Sequence, residues 1–192
     1  MSSKITIIGA GSVGSTIAYT LSSQDIASEI VLIDINKQKA EGEVLDIIQG
    51  TCFRDPISII AGEYEDAKDS DIVIITSGIA RKPGQTRLEL TQTNVNILKS
   101  ITPEIVKAAP NALYLIVSNP VDIMTYVFTK ISDFRRIRSL VLVQFLTRHV
   151  CAADYLSISR LHRATFMLMY LASMAIHPLF RGQELYFRRK CR

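Results

Sequence analysis

"KITIIGAGSVG", residues Lys4 to Gly14, decides the fold. Lys4 to Gly9 reads as a short apolar strand closed by glycine, and Val13 to Gln24 follows with the spacing of a helix. Between them Gly9, Gly11 and Gly14 form a G-x-G-x-x-G turn. A strand that turns on glycines directly into a helix brings bare backbone N–H groups and a helix amino terminus to one point, which suits a pyrophosphate. The plain alternative is a glycine turn with no ligand.

Moving outward, Asp34 lies twenty residues beyond Gly14, at the end of a second apolar run, Glu29 to Asp34. A carboxylate there accepts hydrogen bonds from a ribose diol and disfavours a 2′-phosphate, so the expected cofactor is NAD rather than NADP. A second helix is expected over Lys37 to Gln49. Ile57 to Gly62, Asp71 to Gly78 and Ala112 to Pro120 read as three more strands, with a long helix starting near Leu88 and another from Val121. Strands that are apolar throughout and alternate with helices predict an α/β fold, a parallel sheet with helices on both faces.

Two loops follow strand ends, where open α/β sheets hold their ligands. Gly78-Ile79-Ala80-Arg81-Lys82-Pro83-Gly84-Gln85-Thr86-Arg87 carries bases that could face an anionic substrate; alternatively it is a solvated loop kept soluble by its charges. Ser118-Asn119-Pro120-Val121-Asp122 could present Asn119 to a cofactor or substrate, although Asn-Pro is equally a turn signal.

In combination, GAGSVG, VLID, GIARKPGQTR and SNPVDI resemble the L-lactate and malate dehydrogenase family over nearly all of residues 4–132. The resemblance implies a Rossmann-type NAD-binding domain over 1–132 and a small-molecule substrate such as pyruvate or lactate. It implies Gly9, Gly11, Val13, Gly14, Asp34, Lys39, Tyr64, Gly78, Ile79 and Asn119 as cofactor-binding positions. Arg87 and Asn119 take catalytic positions, Arg87 polarising the substrate carbonyl, and Arg81, Arg87, Asn119 and Asp122 line the substrate. No metal is implied. The family also implies a homotetramer. Arg81 matches the position that discriminates substrates: arginine there pairs bidentately with a second carboxylate and favours malate. GQTRLEL and SNPVDI look more like lactate enzymes.

After Asp133 the chain changes character. Residues 1–133 carry 11 Lys+Arg against 16 Asp+Glu, a net of −5, whereas 134–192 carry 11 against 2, a net of +9. Arginine supplies 10 of the 11 later bases, and eight of the nine glycines precede them. Residues 133–192 therefore read as a basic, out-of-character tail, frameshifted or poorly ordered, in place of the substrate domain. The family's proton-donating histidine in a GEHGDS-like motif, its partner aspartate and its carboxylate-binding arginine are not recognisable there. His149, His162 and His177 lack a glycine-rich setting and read as incidental.

A coding-frame shift near Asp133, in the gene or in its recorded sequence, explains the change. Joining the last base of each codon to the first two of the next forces valine from Met169-Tyr170 and glycine from Met174-Ala175. Synonymous codons from Phe166 to Pro178 then permit His-Ala-Tyr-Val-Leu-Gly-Glu-His-Gly-Asp-Ser-Ser. The same offset over Phe134 to Thr147 permits Pro-Lys-Asn-x-Val-Ile-Gly-Ser-Gly-Thr-Val-Leu-Asp, which resembles the family's next strand and loop, although x cannot be the expected arginine. Degeneracy leaves room for chance; the two forced residues weigh against it. The hidden motif favours lactate, against Arg81. On this reading the catalytic parts are incomplete, and loss of the sixth strand leaves the fifth with an unpaired edge.

Other classes are less well supported. The bases of the tail are scattered rather than clustered with stacking aromatics or along one helical face, so neither nucleic acid nor membrane is expected as a partner. "TFMLMYLASMAIHPLF" is broken by His177 and Pro178 and short for a span. Cys52, Cys151 and Cys191 have neither metal-ligand spacing nor an even count. The amino terminus enters a strand directly, without a leader pattern, and a cytoplasmic location is expected. A non-catalytic nucleotide-binding remnant remains the alternative to an enzyme.

Overall fold

Strands with apolar residues on both faces are stable only if both faces of the sheet are covered, and the computed structural model shows how this is achieved. It describes residues 3–50, 57–80 and 83–132, with the backbone of 139–141. In chain order these form β1 (Lys4–Ile8), α1 (Ser12–Ser23), β2 (Glu29–Ile33), α2 (Lys37–Gly50), β3 (Ser58–Ala61), a 3-10 turn (Tyr64–Ala67), β4 (Ile72–Ile75), α3 (Arg87–Ala108), β5 (Leu113–Ile116), α4 (Val121–Ile131) and β6 (Ser139–Val141). All strands pair in parallel in the order β3-β2-β1-β4-β5-β6. This is the doubly wound arrangement, and the chain reverses its direction of travel across the sheet between β1 and β4.

Alternate residues of β1, β2, β4 and β5 feed two separate cores, whereas β3 gives Ile59 to the first and leaves Ile60 exposed. Ile72 and Ile74 of β4 join Ile17, Leu21, Val44 and Ile47 from α1 and α2. Val73 and Ile75 join Leu98, Ile105, Met124 and Phe128 from α3 and α4. Complete burial of one such side chain contributes about 1.5–3 kcal/mol, so the two clusters supply the main force holding the layers together. The polar residue inside β1, Thr6, is wholly buried and shares a 2.7 Å hydrogen bond with the Ser70 hydroxyl just before β4. Tyr114 of β5 is buried on the α3/α4 side, its ring centroid 4.9 Å from that of Phe128. Its hydroxyl lies 2.8 Å from the Ala109 carbonyl and 3.1 Å from that of Ile105, satisfying acceptors at the end of α3. Burial pushes the Tyr114 phenol well above its ordinary pKa, so it remains a donor.

One expectation is corrected. The sequence reading leaves β5 with an unpaired edge, but Ser139–Val141 pairs along it, with Tyr114 opposite Ser139 and Ile116 opposite Val141. A parallel ladder is built from main-chain N–H and C=O groups that every residue except proline supplies. The switch in composition after Asp133 therefore does not by itself remove a strand. The rest of the basic tail lies outside the described residues. Among the described residues no helix is long and apolar enough to cross a membrane.

The two-core architecture makes the Phe128 ring a principal support of α4. Phe128→Ala is expected to lower stability by about 3–5 kcal/mol in urea denaturation, whereas Leu88→Ala, at a side chain 80% exposed, changes it by about 0.5 kcal/mol or less.

Candidate functional site

The site is built on the carboxyl ends of β2, β1, β4 and β5. At the centre, Gly9 takes φ +109°, a conformation that side chains disfavour. A Cβ on Gly9 would lie 2.8 Å from Thr76 Oγ1, and one on Gly14 would lie 1.8 Å from the Gly9 carbonyl oxygen. These two glycines let α1 pack directly on the end of β1. Gly11 differs: it precedes α1 with nothing within 4 Å of its Cβ position. No side chain caps α1 there and its first turn holds no acid, so its leading N–H groups and positive dipole end remain available to an anion. Val13 lies in the first turn of the same helix, partly buried against the α1/α2 core.

Asp34 flanks this turn. Its Oδ2 accepts the Ala10 N–H at 2.6 Å and its Oδ1 accepts the Asn36 N–H at 2.9 Å. Each carboxylate oxygen retains acceptor capacity, which a ribose diol could use. Asn36 in turn accepts from the Lys39 N–H at 3.2 Å, so Lys39 stands exposed in the first turn of α2. Ile35 beside Asp34 is fully exposed at 103%, an apolar surface that a flat ring could cover.

On the other side of the switch point, Thr76 Oγ1 donates toward the Ile8 and Gly9 carbonyls at 3.1 and 3.0 Å, tying the end of β4 to the glycine turn. Ser118 Oγ, after β5, lies 2.6 Å from the Ser77 carbonyl. Ser77 Oγ itself is buried and has no partner among the described residues. Asn94 of α3, 3% exposed, accepts the Ile79 N–H at 2.9 Å and donates to the Asn119 carbonyl at 2.8 Å. A Cβ on Gly78 would touch the Asn94 amide at 3.4 Å.

The structure thus brings Gly9, Gly11, Val13, Gly14, Asp34, Gly78, Ile79 and Asn119 to one edge of the sheet. Arg87 begins α3 and is exposed, its position set by a capping box in which Thr86 Oγ1 accepts the Glu89 N–H and the Glu89 carboxylate accepts the Thr86 N–H. Asp122 is exposed in the first turn of α4. Tyr64 stands on the 3-10 turn, half-buried, and lines a cavity of about 460 Å³ with Lys68, Ser70, Glu104 and Lys107. Burial, and then the charges of Glu104, Asp34 and Glu63, push its phenol pKa upward. Apart from Tyr64 and Glu65, that cavity opens among residues preceding β4, at the end of α3 and preceding β5, at the sheet's amino end. Arg81 lies outside the described residues.

Sequence reasoning missed Thr76 and Asn94 and gave Ser118 no separate role. A threonine inside a strand and an asparagine inside a helix carry no motif; only the buried position of Asn94 between two loops reveals its use.

Residues 3–140 match the family model for the lactate/malate dehydrogenase NAD-binding domain. The chain belongs to the lactate/malate dehydrogenase family. It is similar to L-lactate dehydrogenase 1 of Clostridium acetobutylicum and to an L-lactate dehydrogenase of Clostridium perfringens, each 55% identical over 135 residues, 70% of this chain and 43% of the relative. Among solved structures, it superposes on the minor L-lactate dehydrogenase of Enterococcus mundtii with a TM-score of 0.67 at 42% identity, covering 69% of this chain and 43% of that one. The malate dehydrogenase of Picrophilus torridus gives 0.66 at 37% identity, covering 72% and 45%. The family chain in hand therefore spans less than half the length of these relatives.

The two kinds of glycine in this family domain separate folding from binding. Gly14→Ala is expected to cost about 1–3 kcal/mol of stability because its Cβ has no room. Gly11→Ala should cost about 1 kcal/mol or less in the same urea titration, since its backbone is already extended and its surroundings open. NADH fluorescence titration should nevertheless show weakened binding in Gly11→Ala.

Proposed function

We propose that this chain is the NAD-binding part of an NAD-dependent L-lactate dehydrogenase, with residues 133–192 read in a shifted frame. The observation that carries the cofactor reading is the uncapped amino terminus of α1, set on the glycine turn beside the Asp34 carboxylate. The pyrophosphate is proposed to rest on the N–H groups opened by Gly11. Asp34 would accept from the adenosine ribose, with Ile35 and Lys39 beside it. The remaining half would cross β4 toward Gly78, Ile79 and Asn119, where the orphaned Ser77 hydroxyl offers a further polar group. Tyr64 is proposed as an additional cofactor contact through the resemblance alone.

Bound there, NAD would exchange a hydride with the carbonyl carbon of the substrate. Arg87 would stabilise charge on the carbonyl oxygen, and Asn119, with Arg81 and Asp122, would help hold the substrate. A proton must also move to or from that oxygen, and positioned acid–base groups of this kind contribute about 10²–10⁴-fold. The 192 residues contain no GEHGDS-like motif to supply one. Lactate is preferred to malate because the relatives quoted at 55% identity are L-lactate dehydrogenases and the offset frame permits GEHGDSS. The malate reading rests on Arg81. The frame reading is supported by the full-length relatives, which align over only 135 residues, 70% of this chain, and so leave most of the stretch after the switch in charge at Asp133 unmatched. The intact protein is proposed to work in the cytoplasm as a homotetramer.

Purified 192-residue protein is expected to quench or enhance NADH fluorescence saturably, with Asp34→Ala weakening binding, while lactate and malate turnover stay at background. Turnover near family rates would overturn the incompleteness, and absence of NADH binding by folded protein would overturn the cofactor reading. Sequencing the gene across the codons for Lys130 to Arg192 tests the frame: an offset reading that lacks PKN and GEHGDSS would remove it.

A further inference from the structure

The two loops proposed to receive the nicotinamide half of the cofactor are not joined to each other by the sheet ladder. The β4–β5 pairing ends at Ile75 and Ile116, with one further main-chain bond from the Val117 N–H to the Ile75 carbonyl. Beyond this, the Ser118 hydroxyl reaches back to the Ile75 and Ser77 carbonyls, short of Gly78 and Ile79. Gly78, Ile79 and Asn119 project past the last ladder bond. A side chain from another element, Asn94 of α3, bonds to both Ile79 and Asn119.

The chemistry of that side chain is specific. Its carbonyl oxygen faces an N–H donor at Ile79 and its amino group faces a carbonyl acceptor at Asn119. Only a group carrying both an acceptor and a donor on one planar end serves both loops; a carboxylate would meet the Asn119 carbonyl with like charge, and an alkyl group would satisfy neither. Asn94 is 3% exposed, so water does not readily replace either bond. We propose that Asn94 is a positioning residue that sets the spacing of the Ile79 and Asn119 loops for the nicotinamide half of the cofactor, acting through those loops. Gly78 meets the same amide, so a bulkier residue there would shift the clamp.

This rests on the cofactor reading above, and the test separates the two. ADP occupies only the proposed Gly11 and Asp34 half, whereas NADH needs both. In the 192-residue protein, Asn94→Leu and Asn94→Asp are each expected to weaken NADH binding by about tenfold or more while leaving ADP affinity unchanged. Asn94→Leu should also speed hydrogen exchange at the Ile79 amide and leave the Ile8 amide protected. Asn94→Asp retains an acceptor for Ile79 and nearly the native volume, so it reports the Asn119 bond if the leucine variant fails to fold. Equal NADH affinity in wild type and both variants overturns the proposal alone. Parallel loss of ADP and NADH binding also overturns it, because Asn94 would then support the fold generally. Failure of folded wild-type protein to bind NADH overturns the cofactor reading and, with it, this role for Asn94.

Discussion

The structure depends on the close approach of α1 to the end of β1. The Gly9 carbonyl oxygen lies 1.8 Å from where a Cβ of Gly14 would stand, so the helix and strand meet at backbone distance. Any side chain at Gly14 would push α1 outward, away from Ile17, Ala18 and Leu21's places in the first core. The same contact aims the leading N–H groups of α1 at the switch point between β1 and β4. Packing and the aim of these N–H groups are thus consequences of one missing side chain, while Gly11 has open space around its Cβ position.

Around this contact, side chains lace together backbone that the ladder leaves unpaired. Asp34 holds Ala10, Thr76 holds Gly9, Ser118 holds Ser77, and Asn94 joins Ile79 to Asn119. Each bond links the ends of neighbouring strands or the loops just beyond them. A net hydrogen bond contributes only about 0.5–1.5 kcal/mol, so the lacing adds modestly to stability beside the two apolar cores. Its larger effect is to set loop positions before a ligand arrives, which reduces the ordering that binding must otherwise supply.

The elements were legible because their physical signals are local. Apolar runs such as Ile72 to Ile75 bounded by polar residues predict buried strands, and their completely apolar character predicts cover on both faces, as the alternation between the two cores shows. The glycine turn was legible because its spacing encodes a steric demand. Asn94 was not, because the residues it joins lie 15 and 25 positions away and only tertiary packing brings them to one amide. The 3-10 turn at Tyr64–Ala67 also escaped, since YEDA has neither apolar periodicity nor glycine; its capping box, from Glu63 to Asp66, uses glutamate where the usual signature has serine or threonine.

The pairing of β6 shows why architecture and chemistry need not be lost together. A strand is held by groups common to nearly all residues, so Ser139–Val141 can complete the ladder beside β5 although it lies beyond the switch in charge after Asp133. Cofactor recognition of the proposed kind likewise draws on backbone N–H groups and on side chains that all precede Asp133. The proton transfer proposed above has no such tolerance, because a general acid–base group acts only within hydrogen-bond reach of the atom it serves. A change of reading frame after α4 would therefore spare the sheet and the dinucleotide surface while removing the acid–base step. Retention of the fold then says little about turnover, because the two depend on different parts of the chain and tolerate different kinds of change.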